Sequence, residues 1–211
     1  VLSRGYGRKT SGFKIVEREN RTDEVGDEPL QIKLRYSETT VVVCESRVEG
    51  IENLLQLSLK PDVILMDDGF QHRWVKPGLS ILVTALKLPF WKNHLLPVGT
   101  LREGKKESTR ADVLVISNSD GSIESNGFAG PVFSPIVQES NLIHLAGPKL
   151  EEVPQNVVLL SGIANSERFE ISVSKHHKVL NHLKHQDHHF YTKTDLQKLM
   201  ENYDSFGAAV N

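Results

Sequence analysis

The chain has 211 residues, 38% of them hydrophobic and 25% charged, with a formal net charge of −2. That length suits one large domain or two small ones, and that charge excludes the global basic field which draws nucleic acid. The only cysteine is Cys44, so no disulfide framework exists and a reducing compartment fits. No stretch approaches the roughly 20 apolar residues of a bilayer span, and the first residues carry no secretory-signal pattern.

In chain order, Val1-Leu2 reads as the tail of a strand, and Ser3 to Gly12, rich in Gly, Arg and Lys, as a loop. Phe13 to Glu17 alternates as a short strand. Glu19 to Asp27 is polar. Pro29 fits the first turn of a helix, so Leu30 to Tyr36 reads as a short helix or an extended piece. Thr39 to Cys44 is a β-branched run typical of a strand buried on both faces, with Cys44 in the core. Arg47 to Leu59 has helical spacing and stops before Pro61. Asp62 to Met66, Leu79 to Thr84 and Ala111 to Ser117 read as further buried strands. Asn118 to Pro131 is Ser-, Asn-, Asp- and Gly-rich and marks a domain boundary. Val132 to Val137 and Leu142 to Leu145 suit a two-stranded connection. Asn156 to Ser161 is a strand, Glu167 to His176 a helix capped by Ser166, Val179 to Lys184 a strand, and Thr192 to Asn202 a helix capped by Thr194. Strands alternating with helices predict an α/β fold with a largely parallel sheet.

Several strings carry chemistry. Asp67-Asp68-Gly69-Phe70-Gln71-His72 follows directly on an apolar run, so two acids emerge at the C-terminal edge of a strand. That edge is where doubly wound sheets bind ligands, and a phosphate-transferring site needs an acid there for Mg2+. The other reading is an Asp capping a turn. Gly26-Asp27-Glu28-Pro29 sets two acids in a stiff turn. It reads either as a proton acceptor beside a hydroxyl or as a solvated acidic turn. Ser3-Arg4-Gly5-Tyr6-Gly7-Arg8-Lys9 is either a phosphate-pairing basic loop or a solvated one. Arg102, after Leu95-Leu96-Pro97, reaches phosphate or pairs with a local acid. Asp187-His188-His189 suits a tuned proton acceptor or a metal site. His176, His177, His182 and His185 are expected on the surface.

Together these strings resemble the tetraacyldisaccharide 4′-kinase family of lipid A biosynthesis. The matching pieces are Ser3 to Arg8, Val25 to Pro29, Arg47 to Ile51, Asp67 to His72, Leu95 to Glu103, Arg110-Ala111-Asp112, Ser161 to Asn165 and Asp187 to His189, in family order along nearly the whole chain. The resemblance implies a P-loop NTPase-like core over residues 1–118, a linker over 119–145 and a smaller C-terminal α/β lobe over 146–211. It implies phosphorylation, with ATP and Mg2+, of the 4′-hydroxyl of a tetraacylated glucosamine disaccharide 1-phosphate. Asp27 becomes the general base, assisted by His188 or His189, with His189 preferred. Glu28, Asp67 and Asp68 serve Mg2+, while Arg4, Arg8 and Arg102 face nucleotide or substrate. The partners implied are the glycolipid, ATP and a peripheral contact with the inner face of the inner membrane, on the cytoplasmic side, without nucleic acid.

The sequence also departs from the family. No Gly-x-x-x-x-Gly-Lys-Ser/Thr string occurs, although such a loop cradles phosphate in P-loop enzymes. The family carries it, with its membrane-docking helix, upstream of the Ser-Arg-Gly-Tyr-Gly stretch. The Thr-Glu-Lys-Asp stretch near the family's C-terminus is missing too, Asn118 replaces a usual Lys, and Ser166 replaces a usual Pro. The 211 residues alone therefore read as a fragment that is inactive as a kinase. Two rival readings are a two-metal phosphoesterase built on Asp187-His188-His189 and an inactive fragment that binds glycolipid.

Overall fold

Val41, Val42, Val43 and Cys44 are fully buried, as a β-branched run without polar alternation requires. They form the centre of a three-stranded sheet. In it β3 (Val42–Val43) lies between β1 (Leu2–Ser3), parallel to it, and β2 (Lys14–Ile15), antiparallel. Successive side chains of a strand point to opposite faces. Val41 and Val43 accordingly pack with Val16, Val25 and Leu30, while Val42 and Cys44 pack with Leu2 and Leu54. This chain is described here from a computed structural model covering residues 1–117, 126–136 and 154–207. It divides into two compact units, Val1–Ser140 and Asn141–Asn211.

Three helices serve the first sheet. The polar stretch after Glu19 contains α1 (Thr22–Val25), a helix that its polarity alone does not predict. Its start is held by the Glu24 carboxylate, which accepts from the Arg21 amide at 2.9 Å and from Asn20 at 3.1 Å. Gly26 ends it and leads into α2 (Asp27–Arg35), with Pro29 in the first turn as expected. α3 (Arg47–Leu55) is capped by Ser46, whose side chain accepts from the Glu49 amide. It is shorter than its apolar spacing suggested. Gly50 brings it close to the sheet, since a Cβ there would lie 2.7 Å from Leu2 Cδ1.

Asp62 to Met66 corrects an expectation, for it is not a strand buried on both faces. It meets β1 at one parallel bridge, Leu2 with Met66. Ile64 and Met66 pack on the Leu2 cluster, while Val63 and Leu65 are 71% and 63% exposed. A two-residue β1 offers too little backbone for a longer ladder. The second sheet of this unit is all parallel, ordered β4 (Ile81–Ala85), β5 (Val113–Ser117), β6 (Val132–Phe133). β6 extends this sheet; its supposed partner at 142–145 lies outside the described residues, as does most of the expected linker.

The second unit is a right-sized βαβ element: β7 (Asn156–Ser161), α4 (Ser166–Ser174) and β8 (Lys178–Lys184), with the strands parallel. α5 (Lys193–Gly207) packs on both strands. Both expected caps move. Asn165, not Ser166, caps α4 by accepting from the Arg168 amide at 3.1 Å. Thr192, not Thr194, caps α5, because Asp195 three residues on completes a reciprocal box. His182 is also corrected: its side chain is only 3% exposed, because it lies on β8 beneath Glu170 of α4. Every strand pair among the described residues is parallel except β2–β3, which gives the α/β class expected.

Candidate active site

The parallel direction of β1, β3 and the Met66 bridge delivers Ser3, Cys44 and Asp67 to one sheet edge. There the Ser3 hydroxyl donates to Asp67 Oδ2 at 2.9 Å and accepts from the Gly5 amide at 3.3 Å. The loop then packs against the turn before Asp27. Gly5 has φ +69°, and a Cβ on it would lie 2.8 Å from the Val25 carbonyl oxygen. Gly26 has φ +90°, and a Cβ there would lie 3.1 Å from Gly5 Cα. Both glycines are thus required by conformation and by space. The Ser3–Arg8 loop consequently touches Asp67 through Ser3 and the Asp27 turn through Gly5. Asp27 and Glu28 are exposed in the first turn of α2, with Asp27 Oδ1 accepting from the Glu28 amide at 2.9 Å.

Asp67 is also held through its backbone. Its amide donates to the Leu2 carbonyl at 3.0 Å. Its carbonyl accepts from Arg47 Nη2 at 3.0 Å, while Arg47 Nη1 donates to the Cys44 carbonyl at 3.0 Å. Arg47 is 5% exposed. Burial pushes its pKa down, and the neighbouring Asp67 opposes that shift. Sequence reasoning placed Arg47 in a motif without giving it a role. The signal was available: a cation at the first position of a helix that follows a fully buried strand.

Asp68 adopts φ +45° and pairs with Arg102 Nη1 at 3.7 Å, both side chains being exposed. The loop after it is fixed by Arg110. That guanidinium donates to the Phe70 carbonyl at 3.0 Å, lies 4.5 Å from the Phe70 ring centroid and pairs with Glu103 and Glu107. Arg73 joins the same two acids at 3.1 and 2.6 Å. Arg4 is exposed. The Arg8 side chain is 2% exposed and donates to Glu45 at 2.6 Å and to the Gly12 carbonyl at 2.7 Å. Reaching a nucleotide would require Arg8 to give up Glu45.

In the second unit, Asp187 and His188 lie 3.8 Å apart and are partly exposed, with His188 at φ +58°. His189 is more enclosed. Its Nε2 faces Asp195 Oδ2 at 3.1 Å, its ring stacks on His185 at 4.1 Å, and the Tyr191 ring meets it edge-on at 5.2 Å. Gly162 lets this cage form, since a Cβ there would lie 2.8 Å from Tyr191 Oη and 3.2 Å from His189 Cβ. The Thr192 amide and hydroxyl, then His189, hold the Asp195 carboxyl well below the usual carboxylate range. His182 accounts for Ser161 and Glu170, at 2.8 and 2.9 Å, and Lys184 adds a second partner to Glu170 at 2.9 Å. Lys184 first, then His182, lowers the Glu170 pKa.

The first unit therefore gathers hard oxygen donors, Asp67 and Asp68, beside a glycine-hinged basic loop and a second acidic turn. Such donors fit Mg2+. Comparison with known proteins gives the family. The sequence profile of the tetraacyldisaccharide-1-P 4′-kinase family matches residues 1–210. The tetraacyldisaccharide 4′-kinase of Cytophaga hutchinsonii is 34% identical over 212 residues, covering 95% of this chain and 60% of that protein. That of Flavobacterium psychrophilum is 34% identical over 217 residues, covering 95% and 63%. The crystal structure of the "apo" form of LpxK from Aquifex aeolicus in complex with ATP superposes with a TM-score of 0.73 at 32% identity, covering 91% of this chain and 62% of that one. The chain thus spans about 60% of the length of the relatives it matches. A P-loop NTPase-like α/β fold, and a family profile that matches residues 1–210, place this chain in the tetraacyldisaccharide-1-P 4′-kinase family.

Proposed function

We propose that the protein phosphorylates, at the expense of ATP, the 4′-hydroxyl of a tetraacylated glucosamine disaccharide 1-phosphate, a step of lipid A biosynthesis. The observation that carries this reading is the Ser3–Arg8 loop. It holds Asp67 through Ser3 and abuts the Asp27 turn through Gly5 at one sheet edge. Asp67, Asp68 and Glu28 would hold Mg2+, which when bound neutralises charge on the transferred phosphoryl group. Arg4 and Arg102, both exposed, pair with phosphate oxygens. Asp27 accepts the proton of the attacking sugar hydroxyl at a carboxylate oxygen. The resemblance assigns an assisting histidine to the second unit, and His189, whose ring is fixed by Asp195, is our choice over His188.

The core is assigned to residues 1–118, the linker to 119–145 and the lobe to 146–211. The substrate's acyl chains sit in a membrane, so the protein is proposed to work from the cytoplasm on the inner face of the inner membrane. The contact is proposed as peripheral because the family resemblance implies it; among the described residues, no helix is long and apolar enough to cross a membrane.

The test is Asp27→Ala in the intact protein. Losing one proton acceptor should lower turnover by about 10²–10⁴-fold, with ATP binding retained. Turnover within a few-fold of wild type would remove Asp27 from the chemistry. His189→Gln, with turnover and ATP binding read the same way, tests the assisting histidine separately.

A further inference from the structure

We propose that His185, His189 and Asp195 form a binding site for one transition-metal dication of the Zn2+ or Co2+ type. Each residue offers one ligand atom, and the three atoms lie within 4.8 Å of one another. The donor set decides the class of ion. Two imidazoles and a carboxylate suit Zn2+ and Co2+, whereas Mg2+ takes oxygen ligands and keeps water. Three protein ligands with a fourth position open to water is the arrangement of zinc sites that exchange ligands.

The spacing is close to what an ion needs. With metal–ligand bonds of about 2.0–2.2 Å, two ligands of a tetrahedral ion stand roughly 3.3–3.6 Å apart. His189 Nε2 and Asp195 Oδ2 are already 3.1 Å apart. The widest separation in the trio, no more than 4.8 Å, has to close by about an ångström as the His185 ring leaves its stack on His189.

The ligands sit on supported backbone. His185 follows β8, and its amide donates to the Ser161 carbonyl at 2.8 Å. His189 is brought in by the missing side chain of Gly162. Asp195 is steered by Thr192, whose amide and hydroxyl bond it at 2.8 and 2.7 Å. Such outer partners orient metal ligands. The Thr192 amide and hydroxyl both bond Oδ2 and hold it facing His189 at 3.1 Å; an ion would take the place of the hydrogen bond between His189 and this oxygen.

Capping of α5 requires only Thr192 and Asp195, so it does not by itself call for two imidazoles beside that carboxylate. The rings stack at 4.1 Å and 17°, so His185 has to swing out of the stack for its lone pair to meet that of His189 at one ion. The binding proposal stands without the kinase reading. Only one consequence rests on that reading: an ion here would withdraw His189 from proton transfer and inhibit turnover.

The experiment is titration of the intact wild-type protein with Co2+, followed by visible absorbance, and with Zn2+, followed by calorimetry. One ion per chain is expected, with Zn2+ displacing Co2+. Paramagnetic shifts from Co2+ should fall on the rings of His185 and His189, and His177 should be spared. His185→Ala and Asp195→Asn should each weaken binding by at least about tenfold, while His188→Ala leaves it unchanged. Matching thermal melts for wild type and His185→Ala, taken without metal, establish that the variant is folded. Absence of saturable binding overturns the site. So does binding that His185→Ala leaves intact, or shifts centred on other histidines. Loss of kinase inhibition by Zn2+ with binding retained would count against the role of His189 and not against the site.

Discussion

The turns that carry Asp67-Asp68 and Asp195 use the same side chain in opposite ways. Asp195 receives three hydrogen bonds on one oxygen, from the Thr192 amide, the Thr192 hydroxyl and His189. The Asp67 side chain accepts from Ser3, and Asp68 meets Arg102 only at 3.7 Å. In the first unit it is the backbone that is secured, by Leu2 and by buried Arg47. A carboxylate on a fixed main chain with few side-chain partners is ready for a ligand that brings its own charge. A carboxylate fixed by its neighbours is instead aimed at the imidazoles beside it. The difference separates a site for a hard, hydrated cation from one built around imidazoles.

The sharpest way to break this contrast is Arg47→Met. It removes the donors to the Cys44 and Asp67 carbonyls from a residue 5% exposed. Buried acceptors left without donors cost about 1–3 kcal/mol each, so roughly 2–4 kcal/mol of destabilisation is expected in urea unfolding. A loss below about 1 kcal/mol would mean that the guanidinium does not hold the Asp67 backbone.

Gly26→Ala is next. Its backbone angles, φ 90° and ψ 155°, belong to a region that only glycine enters readily, and a Cβ would press on Gly5 main chain. A cost of about 1–3 kcal/mol is expected, together with displacement of the Ser3–Arg8 loop, visible as lost amide protection at Gly5. Gly162→Ala sharpens the comparison. There the nearest atom is the hydroxyl of Tyr191, the end of a side chain, so less stability should be lost and the His189 ring environment should change more. Thr192→Val should cost about 1 kcal/mol, the usual worth of an N-cap. Its signature is faster hydrogen exchange in the first turn of α5 with the Gly5 loop unaffected.

Much of this was legible from residue pattern, and the failures share a cause. Val41 to Cys44 was readable as core because an unbroken apolar run has no face to offer water, though of the two threonines before it Thr39 is half-buried and Thr40 exposed. Asp62 to Met66 looked alike and is half exposed, because burial depends on what covers a strand and composition does not report that. The Asp67-Asp68 string announced itself by its place after an apolar run. Arg47 did not, since an arginine reads as surface until its carbonyl partners are known. His182 and His185 were expected outside for the same reason. Ser161 and Glu170 lie 21 and 12 positions from His182, a relation that only the βαβ crossover creates. The α5 cap was within reach of sequence, for Thr192-x-x-Asp195 has the reciprocal spacing.

The smallest expected effect concerns two glutamates whose acidity is shifted alike for different reasons. Glu24 in the first unit is lowered first by the Arg21 amide and then by Asn20. Glu170 in the second is lowered first by Lys184 and then by His182. A carboxyl more acidic folded than unfolded adds stability that is present above its unfolded pKa and disappears as pH falls through its folded one. Both contributions should therefore exist at neutral pH and fade below the ordinary glutamate range. They should part company with salt. At about 1 M the Debye length is roughly 3 Å, so the attraction between Glu170 and half-exposed Lys184 is screened. The Glu24 bond is a short contact with a main-chain amide inside one turn and should persist. Thermal melts of wild type, Glu24→Gln and Glu170→Gln from neutral to acid pH measure this directly, at low salt and at about 1 M. Equal erosion of both differences by salt would show that the two units hold their glutamates by the same force.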